Sequence, residues 1–294
     1  MESLVTFGLA VLHLFGFYAL LAVGLGLVFG QLGVVNVAHG EFVMVGAYVM
    51  YALDAVPFVL RLALAVGVGL VLSLLAEWTI LRKLYSRGML ATLLAMWGLA
   101  IVLRQVAEAV FGATPRSVPF PVQGSVDVLG VRYPTYRLLV AVVSLLVVGA
   151  VLLVIYRTSL GLKLRASIEN RDMAAVLGIS PRVMIAGTFA VGTTLAVLAG
   201  ALNSPTLGLT PGLGVAFLAP AFFAVLMVRP GSIAGPAVGA LLVALLSSLL
   251  RTYFTETVAD LVFFAALVVL IAVRPAGLSW RLPSWLTRSS ERVA

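Results

Sequence analysis

The 294-residue sequence contains no cysteine, two histidines and two lysines, and only 10% of its residues are charged. Without cysteine there is no disulfide framework, no thiol nucleophile and no Cys-ligated metal. His13 and His39 are 26 residues apart with no His-x-x-Glu-His type cluster around them, so no metal site is expected. Lys83 follows Arg82 and Lys163 follows Leu162, so the Gly-Lys-Ser/Thr end of a nucleotide-cradling loop is absent. If ATP drives this protein, another subunit hydrolyses it. No Gly-x-Ser-x-Gly occurs, which removes the common serine hydrolase arrangement. The start, "MESLVTFGLA", lacks the basic residues and small-residue cleavage site of a signal peptide and is read as the lead into a retained first helix.

What fills the sequence is hydrocarbon. Hydrophobic residues make up 62% of the chain, and its mean hydropathy is +1.17. A soluble domain carries about 25% charged residues, so this chain cannot cover itself with a wetted surface. About 20 apolar residues in a helix cross the hydrocarbon core. Candidate spans are 5–30, 37–56, 60–81, 89–109, 136–156, 182–203, 213–228, 233–250 and 257–273. Spans 37–56 and 213–228 are interrupted by Gly, Pro or polar residues and are read as bent or re-entrant. The expectation is an all-α fold, a polytopic membrane helix bundle of eight or nine transmembrane helices in a single domain, 1–294.

The basic residues orient it. Segment 81–88 carries Arg82, Lys83 and Arg87; segment 157–182 carries Arg157, Lys163, Arg165, Arg171 and Arg182. The tail from 274 holds Arg274, Arg281, Arg288 and Arg292, and Arg229 sits in an "RPG" turn. These are 13 of the 19 basic residues, and the spans put all of them on one side, which the positive-inside rule makes cytoplasmic. The same rule accounts for the net charge of +8 without nucleic acid. The tail 275–294 is therefore expected in the cytoplasm.

Two interruptions fall in different halves: "GQLGVVNVAHGE" (30–41) and "NSPTLGLTPGLGVAFLAP" (203–220). Unwound backbone offers polar groups at membrane depth, so paired broken helices point to a solute path. Its candidate residues are Gly33, Asn36, His39, Gly40 and Glu41 in the first break, and Asn203, Pro205 and Pro211 in the second. The plainer alternative is close helix packing and interhelical hydrogen bonding. On a regular helix Asn36 and His39 share a face while Glu41 points away, so the three are expected to serve different tasks. Asn36 and His39 would hold the break and border the path near its cytoplasmic end, and Glu41 would bind a group on a neighbouring helix.

Between two spans, "SLGLKLRASIENRDMAAVLGISPR" (159–182) has apolar residues at helical spacing and a mixed-charge face. Gly178 is placed to end the helix, and Pro181 prevents its continuation. Such a segment, about 159–180, is either an interfacial anchor or a docking helix for a cytoplasmic partner.

"GLGLVFGQLGVVNVAHGEFVMVGAYV" (24–49) closely resembles the N-terminal signature of the branched-chain amino-acid type (LivH-like) permeases of ABC importers. "GLKLRASIENRDMAAVLGI" (161–179) resembles that family's cytoplasmic coupling segment, and "FAVGTTLAVLAGAL" (189–202) and "AVRPAGL" (272–278) match its habits. The resemblance runs from about residue 8 to 278. One departure is "LMVRPGSIAGPAVG" (226–239), where Met227 to Pro230 replace the Gly-Gly start of the family's "LGGxGSxxG" turn while Gly231, Ser232 and Gly235 remain. The resemblance implies a multi-pass subunit of the bacterial inner membrane, without enzyme activity or bound cofactor of its own. Its implied partners are a second related permease (or a second copy), two cytoplasmic ATPase subunits holding ATP and Mg, and an extracytoplasmic solute-binding protein. It implies ATPase coupling through Arg165, Glu169, Asn170, Arg171, Ala174, Ala175 and Gly178. The implied cargo is a branched-chain or other hydrophobic amino acid, with urea or short amides as the alternative. An ion-coupled transporter using His39 and Glu41 as a proton relay, and a structural subunit with no solute path, are the competing classes.

Overall fold

Lipid gives a backbone no hydrogen-bond partner but itself, so the apolar runs must close into helices. In the computed structural model they do. The structure describes residues 2–33, 36–84, 87–228 and 232–273; the tail expected at 275–294, Arg229 and Gly231 lie outside them.

The helices are α1 (Glu2–Leu32), α2 (His39–Ala52), α3 (Phe58–Thr79), α4 (Met89–Phe111), α5 (Thr135–Arg157), α6 (Ser159–Glu169), α7 (Arg171–Val176), α8 (Pro181–Asn203), α9 (Leu213–Leu226), α10 (Gly235–Tyr253) and α11 (Glu256–Val273). Among the described residues, α1, α3, α4, α5, α8 and α10 are long and apolar enough to cross a membrane. The expected eight or nine crossings also counted 37–56, 213–228 and 257–273. The first two contain 14-residue helices, which at 1.5 Å per residue cover about 21 Å of the roughly 30 Å hydrocarbon layer.

Between α4 and α5 lies an antiparallel hairpin of β1 (Ser125–Val128) and β2 (Val131–Pro134). Its two-residue turn puts Leu129 at φ 53° and Gly130 at φ 85°, the left-handed pair a tight hairpin requires. The hairpin marks one end of the bundle, and α6–α7 marks the other. Tyr133 in β2 donates to the Leu9 carbonyl near the start of α1, whereas Gln31 at its end donates to Ser167 in α6.

α1 therefore runs toward the α6–α7 end, and α8, which follows α7 directly, runs away from it. Each leads into a break and then a half-length helix: α1 into α2, α8 into α9. The packing reciprocates as well, with α1 lying along α10 and α3 along α8. This is the arrangement of an inverted repeat. Its core is built on close backbone crossings. A Cβ on Gly24 would collide with the carbonyl of Gly192, and one on Gly192 with the carbonyl of Gly24. Without a hydrophobic drive between helices in lipid, van der Waals packing through small residues has to hold them.

Candidate functional site

The first break begins where Gly33 takes φ 65°, the left-handed conformation that ends a helix, and its N–H closes on the Phe29 carbonyl at 2.8 Å. His39 opens α2 with its Nε2 donating to the Leu21 carbonyl at 3.1 Å. Leu21 lies 11 residues before the end of α1, about 16 Å along its axis. His39 thus sits near mid-bundle rather than at the α6–α7 end of α1. Asn36 is buried in the break, and neither of its side-chain polar atoms has a partner; His39 Nδ1 is also unpartnered.

Glu41, in the first turn of α2, accepts a 2.5 Å hydrogen bond from Arg104 Nη2 on α4. A carboxylate at a helix N-terminus is favoured by the helix dipole, and the guanidinium compensates its burial. Arg104 was not singled out from the sequence, although an arginine inside the span 89–109 is the signal that could have marked it.

The second break is held by its own backbone and by the loop beside it. Asn203 Nδ2 donates to the Ala199 carbonyl at 2.9 Å, and Tyr136 Oη donates to the Leu202 carbonyl at 2.6 Å. Pro205 lies in a single 3-10 turn, Ser204–Thr206. Leu209 pairs with Arg116 of the hairpin-end loop through two 2.9 Å backbone hydrogen bonds, and the chain passes through buried Pro211 to Gly212 and α9.

The two breaks converge. A Cβ on Gly40 would collide with the carbonyl oxygen of Gly214, and one on Gly214 with the carbonyl of Gly40 and the amide of Glu41. The N-terminal turns of the two half-helices are therefore in backbone contact inside the bundle. Of the predicted path residues, Gly40 and the α2 start meet α9 directly, Gly33 terminates α1, and Asn203 and Pro205 belong to the far side of the second break.

Segment 159–180, expected from the sequence as a coupling helix, is an elbow of two helices rather than one continuous helix. Asn170 breaks it: its Oδ1 accepts from the Met173 amide at 2.9 Å, capping α7. Arg171 donates to the carbonyl of Gln31, and Gln31 Nε2 donates to Ser167 Oγ at 3.0 Å. Arg165 stacks its guanidinium 5.3 Å over the Tyr156 ring. Ala174 is buried, while Glu169 and Ala175 are exposed. Gly178, at φ 80°, closes α7 with the Gly178 and Ile179 amides bonded back to Ala175 and Ala174. Beside the exposed Arg171 and Asp172, α7 and its C-cap hold three apolar residues out: Met173, Val176 and Leu177 are 57%, 82% and 70% exposed. Asn170, Arg171 and Gly178 of the predicted coupling residues thus build the elbow, and Met173, Val176 and Leu177, read from the sequence as part of the segment's apolar spacing, are exposed on it. Among the described residues, no group of three or more His, Cys, Asp or Glu could hold a metal ion.

Comparison with known proteins follows the same outline. The family model of branched-chain amino acid transport system permease components matches residues 8–272. The high-affinity branched-chain amino acid transport system permease protein BraD of Pseudomonas aeruginosa is 30% identical over 282 residues, covering 90% of this chain and 92% of that protein. LivH of Escherichia coli K12, with the same description, is 30% identical over 284 residues, covering 90% and 91%. A probable LivH permease of Methanocaldococcus jannaschii is 26% identical over 290 residues, covering 89% of each. No solved structure matches the chain. Because the matched region takes in both breaks and the elbow, the chain belongs to the family of branched-chain amino acid transport system permease components.

Proposed function

We propose that this chain is a transmembrane permease subunit of an ATP-driven importer of branched-chain or other apolar amino acids. It works in the bacterial inner membrane with a second permease subunit, two cytoplasmic ATPases and an extracytoplasmic solute-binding protein. The observation that carries the reading is the meeting of the two half-helices at Gly40 and Gly214, beside the Asn36 amide and the His39 Nδ1, which have no partner among the described residues. Unsatisfied polar groups at membrane depth cost several kcal/mol, an expense consistent with a path that carries a polar solute head. The α6–α7 end is the cytoplasmic one, and the apolar face of α7 with Glu169 and Ala175 docks the ATPase. Arg171 joins that elbow to Gln31, two residues before the first break, so a movement of α7 bears on the path through α1. ATP and Mg are held by the partner subunits.

Uptake by the assembled complex in proteoliposomes tests this. Leucine accumulation should require the ATPase subunits and ATP, and Asn36→Ala and His39→Ala should each lower it while complexes still assemble. Uptake that continues without the ATPase would instead make the chain an ion-coupled transporter. Failure of both variants to assemble would make the two residues interhelical glue.

A further inference from the structure

A cavity of about 110 Å³ lies among α1, α9, α10 and α11, next to the Gly40–Gly214 crossing. Its lining includes Tyr18, halfway along α1, and Phe217, one turn beyond Gly214 on α9. Ser247 and Arg251 of α10 and Asp260 and Phe263 of α11 complete it. Phe217 sets the cavity one turn of α9 from the Gly40–Gly214 contact. Arg251 donates through Nη2 to Asp260 at 3.0 Å and through Nη1 to Glu256 at 2.8 Å. The Arg251 and Asp260 side chains remain 45% and 52% exposed. The lining therefore combines a part-exposed Arg–Asp ion pair with the aromatic rings of Phe217 and Phe263.

We propose that this cavity is a transient binding site for the zwitterion of an apolar α-amino acid on its way to the Gly40–Gly214 crossing. The proposal rests on the permease reading above. The ligand carboxylate takes the place of Asp260 on Nη2 of the Arg251 guanidinium, while Glu256 keeps Nη1. Its ammonium takes the freed Asp260 carboxylate. The aliphatic side chain lies against Phe217 and Phe263. One ion pair is broken and two form, but the ligand's own charges lose their water to make them, so the net gain is small and comes mostly from apolar contact. Weak exchange of this sort suits a path, which must release what it holds. A carboxylate or guanidinium standing unpaired in the cavity would bind too tightly to pass cargo on.

The test uses the complete complex in proteoliposomes, with leucine and phenylalanine as paired probes in the same vesicles. Arg251→Ala and Asp260→Asn should each lower leucine uptake about tenfold, the loss of a charge-assisted hydrogen bond, and Arg251→Lys should restore part of it. Phe217→Ala enlarges the cavity and should shift the uptake ratio about tenfold toward phenylalanine. That ratio does not depend on how much protein survives the substitution. Tyr253→Ala, exposed on the same turn as Arg251 but outside the cavity, should keep wild-type uptake and ratio. An active wild-type complex whose rate and ratio stay unmoved by the cavity variants overturns this proposal alone. A wild-type complex inert toward both amino acids overturns the permease reading, and this site with it.

Discussion

Gly40 and Gly214 touch through their backbones, each standing where the other's side chain would be. The contact joins two half-length helices from opposite halves of an inverted repeat, and nothing larger than hydrogen fits. Its consequence for mutation is direct. A methyl group at either position must displace a carbonyl oxygen, which cannot rotate away as a side-chain tip does. Gly40→Ala and Gly214→Ala should each cost about 1–3 kcal/mol of overpacking, seen as a lowered unfolding midpoint by intrinsic tryptophan fluorescence in detergent. Gly98→Ala is the comparison, since a Cβ there meets nothing within 4 Å. In mid-helix it should be neutral or stabilising by up to about 1 kcal/mol. Equal midpoints for Gly40→Ala and Gly98→Ala would show that the crossing is looser than its geometry.

The Glu41–Arg104 pair predicts an asymmetric outcome. The side chain of Glu41 is 3% exposed and that of Arg104 is 35% exposed. Removing the arginine strands a carboxylate with no water, whereas removing the carboxylate leaves an arginine able to reach a wetter layer. Arg104→Met should therefore destabilise by about 3–5 kcal/mol, more than Glu41→Gln. The double variant should recover most of the loss. A double-mutant cycle on unfolding midpoints reads the coupling directly, and a double variant no better than Arg104→Met would mean that the pair is not coupled.

How much of this was legible in the sequence depends on the range of the interaction. The long spans follow from uninterrupted apolar runs, whose only solution in lipid is helix. Gly178 ends α7 because left-handed φ favours glycine, a local rule. The breaks at Gly33–Ala38 and 204–212 were marked by Gly, Pro and polar residues, but their depth was not. Only packing reveals that His39 bonds back to Leu21 or that Gly40 faces Gly214. The same holds for Glu41. Its burial implied a partner, yet Arg104 is 63 residues away and no short-range pattern selects it. In the coupling segment, Asn170 looked like part of a continuous polar face. Its cap on α7 splits the helix instead, because an Asn side chain competes well for a free amide at a helix start. That break turns Arg171 inward onto α1 and brings Met173, Val176 and Leu177 outward.

The elbow supports the last prediction, which separates docking from internal wiring. Val176 is 82% exposed and Leu177 70% exposed, although neither faces the hydrocarbon-spanning helices. Apolar residues held out on a short capped helix gain nothing until a partner covers them. Val176→Asp should leave the unfolding midpoint within about 0.5 kcal/mol of the starting protein, as exposed substitutions usually do. It should nevertheless weaken capture of the purified ATPase subunit by about tenfold or more, the cost of burying an unpaired carboxylate in an apolar contact. Arg171→Ala removes the hydrogen bond to the Gln31 carbonyl without altering the outer face. It should bind the ATPase normally and hydrolyse ATP, yet import less solute per ATP, because the elbow no longer moves with α1. Measuring capture and the uptake-to-hydrolysis ratio for both variants distinguishes the two roles. If Val176→Asp retains full capture, the partner sits elsewhere on the cytoplasmic face. If Arg171→Ala keeps the full ratio, the connection to Gln31 fixes the shape of the elbow and carries no motion to the break.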